Sequence, residues 1–226
     1  MKDAFHPLDR DGMARAVAAD LPDGAYVNLG IGLPTLAARY LPPDREVILH
    51  SENGIVGMVA APPDQPIDPG LLNASREAIV LVPGASLSDH VISFTMIRGG
   101  HLDISVLGAF EVASNGDIAN WDTGEPGAIP AVGGAMDLVV GARSIWAVMS
   151  HNTREGAPKI VEHCRYPVTG QAVVDRVYTD LSVLDVDRAA GRFTVRAMVA
   201  GLSFEELQRR TGAPLLRSPE CRVISP

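Results

Sequence analysis

The chain has 226 residues and a formal net charge of -8, with 46% of residues hydrophobic and 20% charged. That balance excludes a disordered chain and gives nucleic-acid binding no electrostatic support. Two scattered cysteines, Cys164 and Cys221, make neither a disulfide framework nor a metal site, so a reducing cytoplasm is expected; no apolar run approaches the ~20 residues that cross a bilayer.

The first residues lack the apolar segment of a secretory signal. Met13, Ala16, Val17 and Leu21 then fall at helical spacing, with Asp11 as the expected N-cap and Pro22-Asp23-Gly24 as the stop. Residues 25–29 read as a short buried strand. It leads into Gly30-Ile31-Gly32-Leu33-Pro34, a turn that opens a helix over 34–40, with Pro34 suited to the first helical position and Pro42-Pro43 ending it. A second strand is expected over 46–52, stopping at Asn53-Gly54. A loop over 60–70, carrying Pro62, Pro63, Pro66 and Pro69, precedes a strand at 78–82, a helix at about 88–97 and a strand at 104–107. This alternation predicts an α/β domain with an open, largely parallel sheet flanked by helices. Asn115-Gly116 predicts a hairpin within 110–121. Residues 144–149 read as another buried strand, and 176–199 as short strands joined by tight turns such as Ala190-Gly191. Ser203-x-x-Glu206 is a capping box that opens a last helix ending near Gly212. No repeat or long linker divides residues 1–226, so a single domain is expected.

Four segments can carry chemistry. Glu52, in Ser51-Glu52-Asn53-Gly54, sits just past the apolar strand Val47-Ile48-Leu49. Open α/β sheets bind ligands beyond the carboxyl ends of their strands. A carboxylate there, beside a glycine turn that admits a substrate, serves as a nucleophile, a base or an inert solvated residue. Gly30-Ile31-Gly32 is half of a dinucleotide fingerprint, but Thr35 stands where the third glycine belongs. Its free amides still suit an anionic group. Gly133-Gly134 precedes an apolar run and can present amides as an oxyanion hole or simply allow close backbone packing. Arg98 suits either a carboxylate ligand or, as favoured here, an internal Asp or Glu. The lone histidines His50, His90, His101 and His151 show no metal-ligand spacing, so no metal is expected.

Taken in order, these segments resemble the beta (B-type) subunit of the family I 3-oxoacid CoA-transferases. The likeness is carried by Asn28-Leu29-Gly30-Ile31-Gly32-Leu33-Pro34, Ser51-Glu52-Asn53-Gly54 and Met96-Ile97-Arg98-Gly99-Gly100-His101. It continues through Gly116-Asp117-Ile118-Ala119-Asn120-Trp121, Gly133-Gly134-Ala135-Met136-Asp137 and Tyr178-Thr179-Asp180 to Thr211-Gly212. The resemblance implies the fold that this family shares with sugar-phosphate isomerases, with additional hairpin strands. It implies Glu52 as nucleophile, Gly134 as an oxyanion donor through its backbone N–H, and Asn28 and Arg76 as contacts to coenzyme A. Gly30, Gly32, Asn53, Gly54 and Gly133 complete the expected substrate and CoA-binding set. Coenzyme A enters as a substrate thioester, with no permanently bound cofactor. The implied partner is a separate CoA-transferase alpha subunit, in an A2B2 heterotetramer with Glu52 facing the alpha–beta boundary.

Two positions depart from the family pattern: Arg76 stands where the family usually has Lys, and Val59 where it usually has Gly. Arg keeps the charge but is not equivalent to Lys at a point contact. Residues 120–126 and 129–132 resemble the branch acting on 3-oxoadipate, with succinyl-CoA as donor and acetoacetate as the close competitor. Two readings from other classes stand beside this one, a sugar-phosphate isomerase and a non-catalytic effector-binding module.

Overall fold

Short aliphatic runs build most of the sheet. In chain order the strands are β1 (Tyr26–Leu29), β2 (Ile48–Ser51), β3 (Ile55–Ala60), β4 (Ile79–Leu87), β5 (Ile104–Gly108), β6 (Glu111–Ala113), β7 (Ile118–Ala119), β8 (Ser144–Val148), β9 (Ile160–Val161), β10 (Val174–Tyr178), β11 (Ser182–Asp187), β12 (Arg192–Val199) and β13 (Leu215–Ile224). The computed structural model describes residues 5–62, 64, 66–125, 127 and 129–224; Pro63 of the proline-rich loop and Pro126 of the 3-oxoadipate-like run lie outside them.

Ten strands form one sheet in the order β13-β12-β11-β10-β8-β5-β1-β2-β3-β4, and β7-β6-β9 form a second. The centre, β10-β8-β5-β1-β2, is parallel throughout. Val27, Val106, Ala147 and Val177 on these strands are fully buried, as expected where both faces of a parallel sheet are covered. The expected open parallel sheet is therefore the middle of the molecule. Antiparallel strands extend it on both sides, β3 and β4 beyond β2, and β11 and β12 beyond β10. The hairpin at Asn115-Gly116 forms as β6 and β7.

Among the described residues, four α-helices accompany the strands: α1 (Arg10–Asp20), α2 (His90–Arg98), α3 (Ala135–Gly141) and α4 (Phe204–Arg210). The cap of α1 is Asp9, whose carboxylate accepts from Gly12 N–H at 2.7 Å. Asp11, the residue expected there, lies in the first turn, where its carboxylate accepts from the Tyr40 hydroxyl. The helix expected over 34–40 forms as a 3-10 helix, Pro34–Tyr40, of 7 residues, long for this tighter ladder. Ser203 caps α4 by accepting from Glu206 N–H. The Glu206 side chain turns instead to Arg209 and Arg210, so only half of the capping box forms.

Prolines hide part of the sheet from the sequence: the strand expected at 78–82 continues to Leu87 as β4, and β13 was not expected at all. Strand β4 runs past Pro83, and its register against β3 jumps from Met58↔Leu81 to Val56↔Ser86. Pro83 thus falls in a bulge, where its missing N–H costs no ladder bond. Strand β13 carries Pro219 inside a similar jump, between Val195↔Arg217 and Ala197↔Arg222.

This topology sets the site. From β1 the chain crosses to β2 on one side, whereas β5 joins β1 on the other. The loops leaving β1 and β5 diverge there, opening a crevice at the carboxyl ends of the strands.

Candidate active site

Glu52 lies one residue beyond β2, in a turn closed by Gly54 N–H donating to Ser51 C=O at 2.9 Å. The strand stops at Ser51, not at Glu52 as the sequence pattern suggested, so the carboxylate projects clear of the ladder. Gly54 has φ +109°, and a Cβ there would stand 2.0 Å from the Ser88 carbonyl oxygen. Only glycine permits that approach, which Ser88 N–H locks by donating to Gly54 C=O at 2.8 Å.

Beneath Glu52 runs a chain of polar side chains buried between the sheet and α2. Asn28 is fully buried on β1, in register with His50 on β2. Its Nδ2 donates to Glu52 Oε2 at 3.1 Å and lies 3.3 Å from His50 Nδ1. The amide orientation follows from charge, because the reverse would set Oδ1 against the carboxylate. His50 Nδ1 must then accept, so the ring proton sits on Nε2 and faces Ser93 Oγ at 3.0 Å. Burial lowers the His50 pKa to about 4, which keeps the ring neutral and Nδ1 able to accept. Glu52 Oε1 has no hydrogen-bond partner among the described residues. One carboxylate oxygen is therefore oriented and the other is free to attack.

Glu52 lines a cavity of about 560 Å³ together with Gly30, Phe110, Gly133, Gly134 and Lys159. Gly30 closes the end of β1 by donating to Val106 C=O at 2.8 Å. A side chain there would crowd the Val106 carbonyl and the Leu107 side chain at 3.0 Å. Gly134 caps α3, and its N–H has no acceptor among the described residues. Arg98 ends α2 and donates to Asp137 in the first turn of α3 at 2.7 Å, so it ties the two helices together as the structural option required.

The structure thus gathers Glu52, Asn28, Gly30, Gly133 and Gly134. It does not bring in Gly32, Asn53 or Arg76. Gly32 is exposed in the turn after β1. Asn53 points away and donates to Leu72 C=O at 2.8 Å. Arg76 is exposed, with φ 62° and no side-chain partner among the described residues. Its neighbours Ser75 and Glu77 line a second cavity of about 510 Å³, to which Ser51 and Val59 also contribute. Ser51 and Glu52 therefore face separate cavities on either side of the same turn. Sequence reasoning did not place His50 and Ser93 beneath Glu52 or Lys159 in the cavity wall. The signal for His50 was the strand period of two, which sets it apart from its neighbour Ser51 and below Glu52.

The fold and its crevice define an α/β protein that holds an oriented, partly buried carboxylate at the carboxyl ends of parallel strands. A coenzyme A transferase family model matches residues 10–209. The B-type subunit of 3-oxoadipate CoA-transferase from Acinetobacter baylyi is 54% identical over 213 residues, 94% of this chain and 97% of that protein. Human mitochondrial succinyl-CoA:3-ketoacid coenzyme A transferase 2 is 40% identical over 95% of this chain, which spans only 41% of that protein. Among solved structures, an acyl-CoA transferase from Escherichia coli O157:H7 superimposes with a TM-score of 0.71 at 20% identity, over 96% of this chain and 44% of the other. The chain belongs to the coenzyme A transferase family, and it is a CoA-transferase.

Proposed function

We propose that this chain is the nucleophile-bearing subunit, folded as one domain, of a 3-oxoacid CoA-transferase and that Glu52 forms the covalent intermediate. The observation that carries the reading is the Asn28 Nδ2–Glu52 Oε2 hydrogen bond of 3.1 Å. It leaves the second oxygen free in a cavity that also holds an unpaired backbone amide. Glu52 attacks the acyl-CoA carbonyl and expels the CoA thiolate, giving a mixed anhydride. The thiolate then attacks the Glu52 carbonyl and releases the acyl group as a free carboxylate, leaving a glutamyl-CoA thioester. A second acid reverses both steps and departs as the new acyl-CoA. The activation energy of the starting thioester passes through the anhydride and the glutamyl thioester to the new acyl-CoA, so the reaction proceeds without ATP or a resident cofactor. Gly134 N–H is the assigned oxyanion donor. Arg76, exposed beside the second cavity, is available to a CoA phosphate.

Succinyl-CoA and 3-oxoadipate are the proposed pair. The relative named for 3-oxoadipate is 54% identical, against 40% for the human relative named for succinyl-CoA and a 3-ketoacid. The proposed partner is an alpha subunit, in an A2B2 heterotetramer. Two observations support it: the human relative carries in one chain more than twice the length matched here, and exposed Val91, Ile92, Met136 and Val140 lie on α2 and α3, which pack together. No helix among the described residues is long and apolar enough to cross a membrane, and the proposed location is the cytoplasm, supported by the unpaired Cys164 and Cys221. The test is exchange of labelled succinate into succinyl-CoA by this chain alone and with its alpha partner. Exchange only by the pair is expected; full exchange by the lone chain refutes the split site, and none by either refutes the activity.

A further inference from the structure

Lys159 joins two cavities. It lines the Glu52 cavity and also a neighbouring one of about 460 Å³, and Phe110 is the other residue of the Glu52 wall common to both. The neighbouring cavity has a basic wall made by Arg154, Lys159 and Arg165. Their charges are not equivalent. Arg165 is neutralised by Glu111, which is fully buried and accepts from both Arg165 Nε and Arg165 N–H at 2.7 Å. Arg154 is exposed and makes no ion pair among the described residues. Lys159 is half-buried, and its ammonium is held only by Ser150 Oγ at 3.3 Å, with no carboxylate within ion-pair distance among the described residues. Burial pulls its pKa below the usual lysine range, while Asp180 and Glu111 act from a distance in the opposite sense. A partly desolvated cation without an anion is costly unless a ligand supplies one.

The backbone around Lys159 is fixed. Its N–H donates to His151 C=O at 3.0 Å, and its own C=O accepts from Val112 N–H at 3.0 Å, where β6 runs beside β9. The side chain therefore leaves a rigid edge at the junction of the two cavities, and changing it leaves those bonds in place. We propose that Lys159 binds the remote carboxylate of a dicarboxylic acyl group whose reacting carbonyl sits at Glu52, with Arg154 adding charge at the outer rim. The proposal rests on the Glu52 reading and supplies its acyl specificity. A succinyl or 3-oxoadipyl group carries the second carboxylate; an acetoacetyl group has none, and leaves the ammonium unpaired. A site built around a charge rejects the analogue lacking its partner far more strongly than an apolar pocket rejects a missing methylene.

The experiment follows the first half-reaction in the assembled enzyme, with both kinds of subunit present. Formation of the enzyme–CoA adduct is timed by intact mass with succinyl-CoA and, separately, with acetoacetyl-CoA. Lys159→Gln can still bond Ser150 but removes the charge. It should lower the preference for succinyl-CoA over acetoacetyl-CoA by about 10- to 100-fold, the usual worth of a hydrogen bond to a charged group. Lys159→Arg keeps the charge and should retain most of the preference, and a melting curve for each variant confirms folding. An unchanged preference in Lys159→Gln, or equal losses with both acyl-CoAs, overturns the carboxylate site while leaving Glu52 in place. Absence of any adduct in the wild-type enzyme overturns the Glu52 reading and this proposal with it.

Discussion

Replacing Gly54 with alanine tests how the nucleophile is held. The residue has φ +109°, a region that a side chain makes unfavourable by about 1–3 kcal/mol. The new Cβ would also stand 2.0 Å from the Ser88 carbonyl oxygen and 3.0 Å from its carbon. Both atoms are backbone, so no rotamer change relieves the overlap. The start of the α2 segment must move, and the Ser88 N–H to Gly54 C=O bond of 2.8 Å is stretched or lost, at about 1 kcal/mol net. Together these effects destabilise by roughly 2–4 kcal/mol. For a chain of this size that lowers the melting temperature by roughly 5–15 °C. The same movement carries Glu52 with it, and a displacement of about 1 Å can slow transfer ~100-fold. Thermal unfolding by circular dichroism, with adduct formation measured well below the transition, reports both quantities. A Gly54→Ala protein that melts and reacts like wild type would refute the locked-turn argument.

Two further outcomes follow from the polar chain under Glu52 and from His151, which is buried elsewhere between Thr179 and Thr211. Asn28→Ala removes the donor to Glu52 Oε2, worth about 1.5–3 kcal/mol for a charged acceptor, so kcat/KM should fall roughly 10- to 100-fold; an unchanged kcat/KM would deny Asn28 its orienting role. Acid should weaken the fold through His50 and His151, which are buried and have pKa values lowered to about 4 from 6.5. The unfolded chain holds more protons between those limits, so stability is full above the higher one and lost as pH falls toward the lower, by at most about 3 kcal/mol for each histidine. Urea midpoints measured from neutral to acid pH should fall, and a flat profile in that window would contradict the buried neutral rings.

Much of this architecture is legible in the sequence, and the failures have physical causes. The central strands were readable because burial on both faces demands unbroken aliphatic runs such as Val47-Ile48-Leu49. The hairpin at Asn115-Gly116 was readable because few residue pairs fit so tight a turn. The second half of β4 and the whole of β13 escaped because Pro83 and Pro219 argue against a regular strand, and only the pairing reveals the bulges that admit them. Of the site, Glu52, Gly30 and Gly134 could be named from local pattern. The links from Asn28 to Glu52 and from His50 to Ser93 could not, since they join residues 24 and 43 positions apart. Arg76 shows the reverse limit, because a position in a motif does not set where a long exposed side chain reaches. Lys159 was invisible for the same reason as His50: its meaning lies in the cavity wall and not in its neighbours.

The central claim is that Glu52 is the covalent nucleophile. The most direct measurement is the intact mass of this chain after the assembled enzyme is mixed with succinyl-CoA and quenched. Wild type should gain the mass of CoA less one water, and peptide mapping should place it on Glu52. Glu52→Ala should gain nothing, and Glu52→Asp should react at about one-hundredth of the wild-type rate or less, since shortening by a methylene moves the oxygen by ~1 Å. A CoA adduct retained in Glu52→Ala would contradict the account.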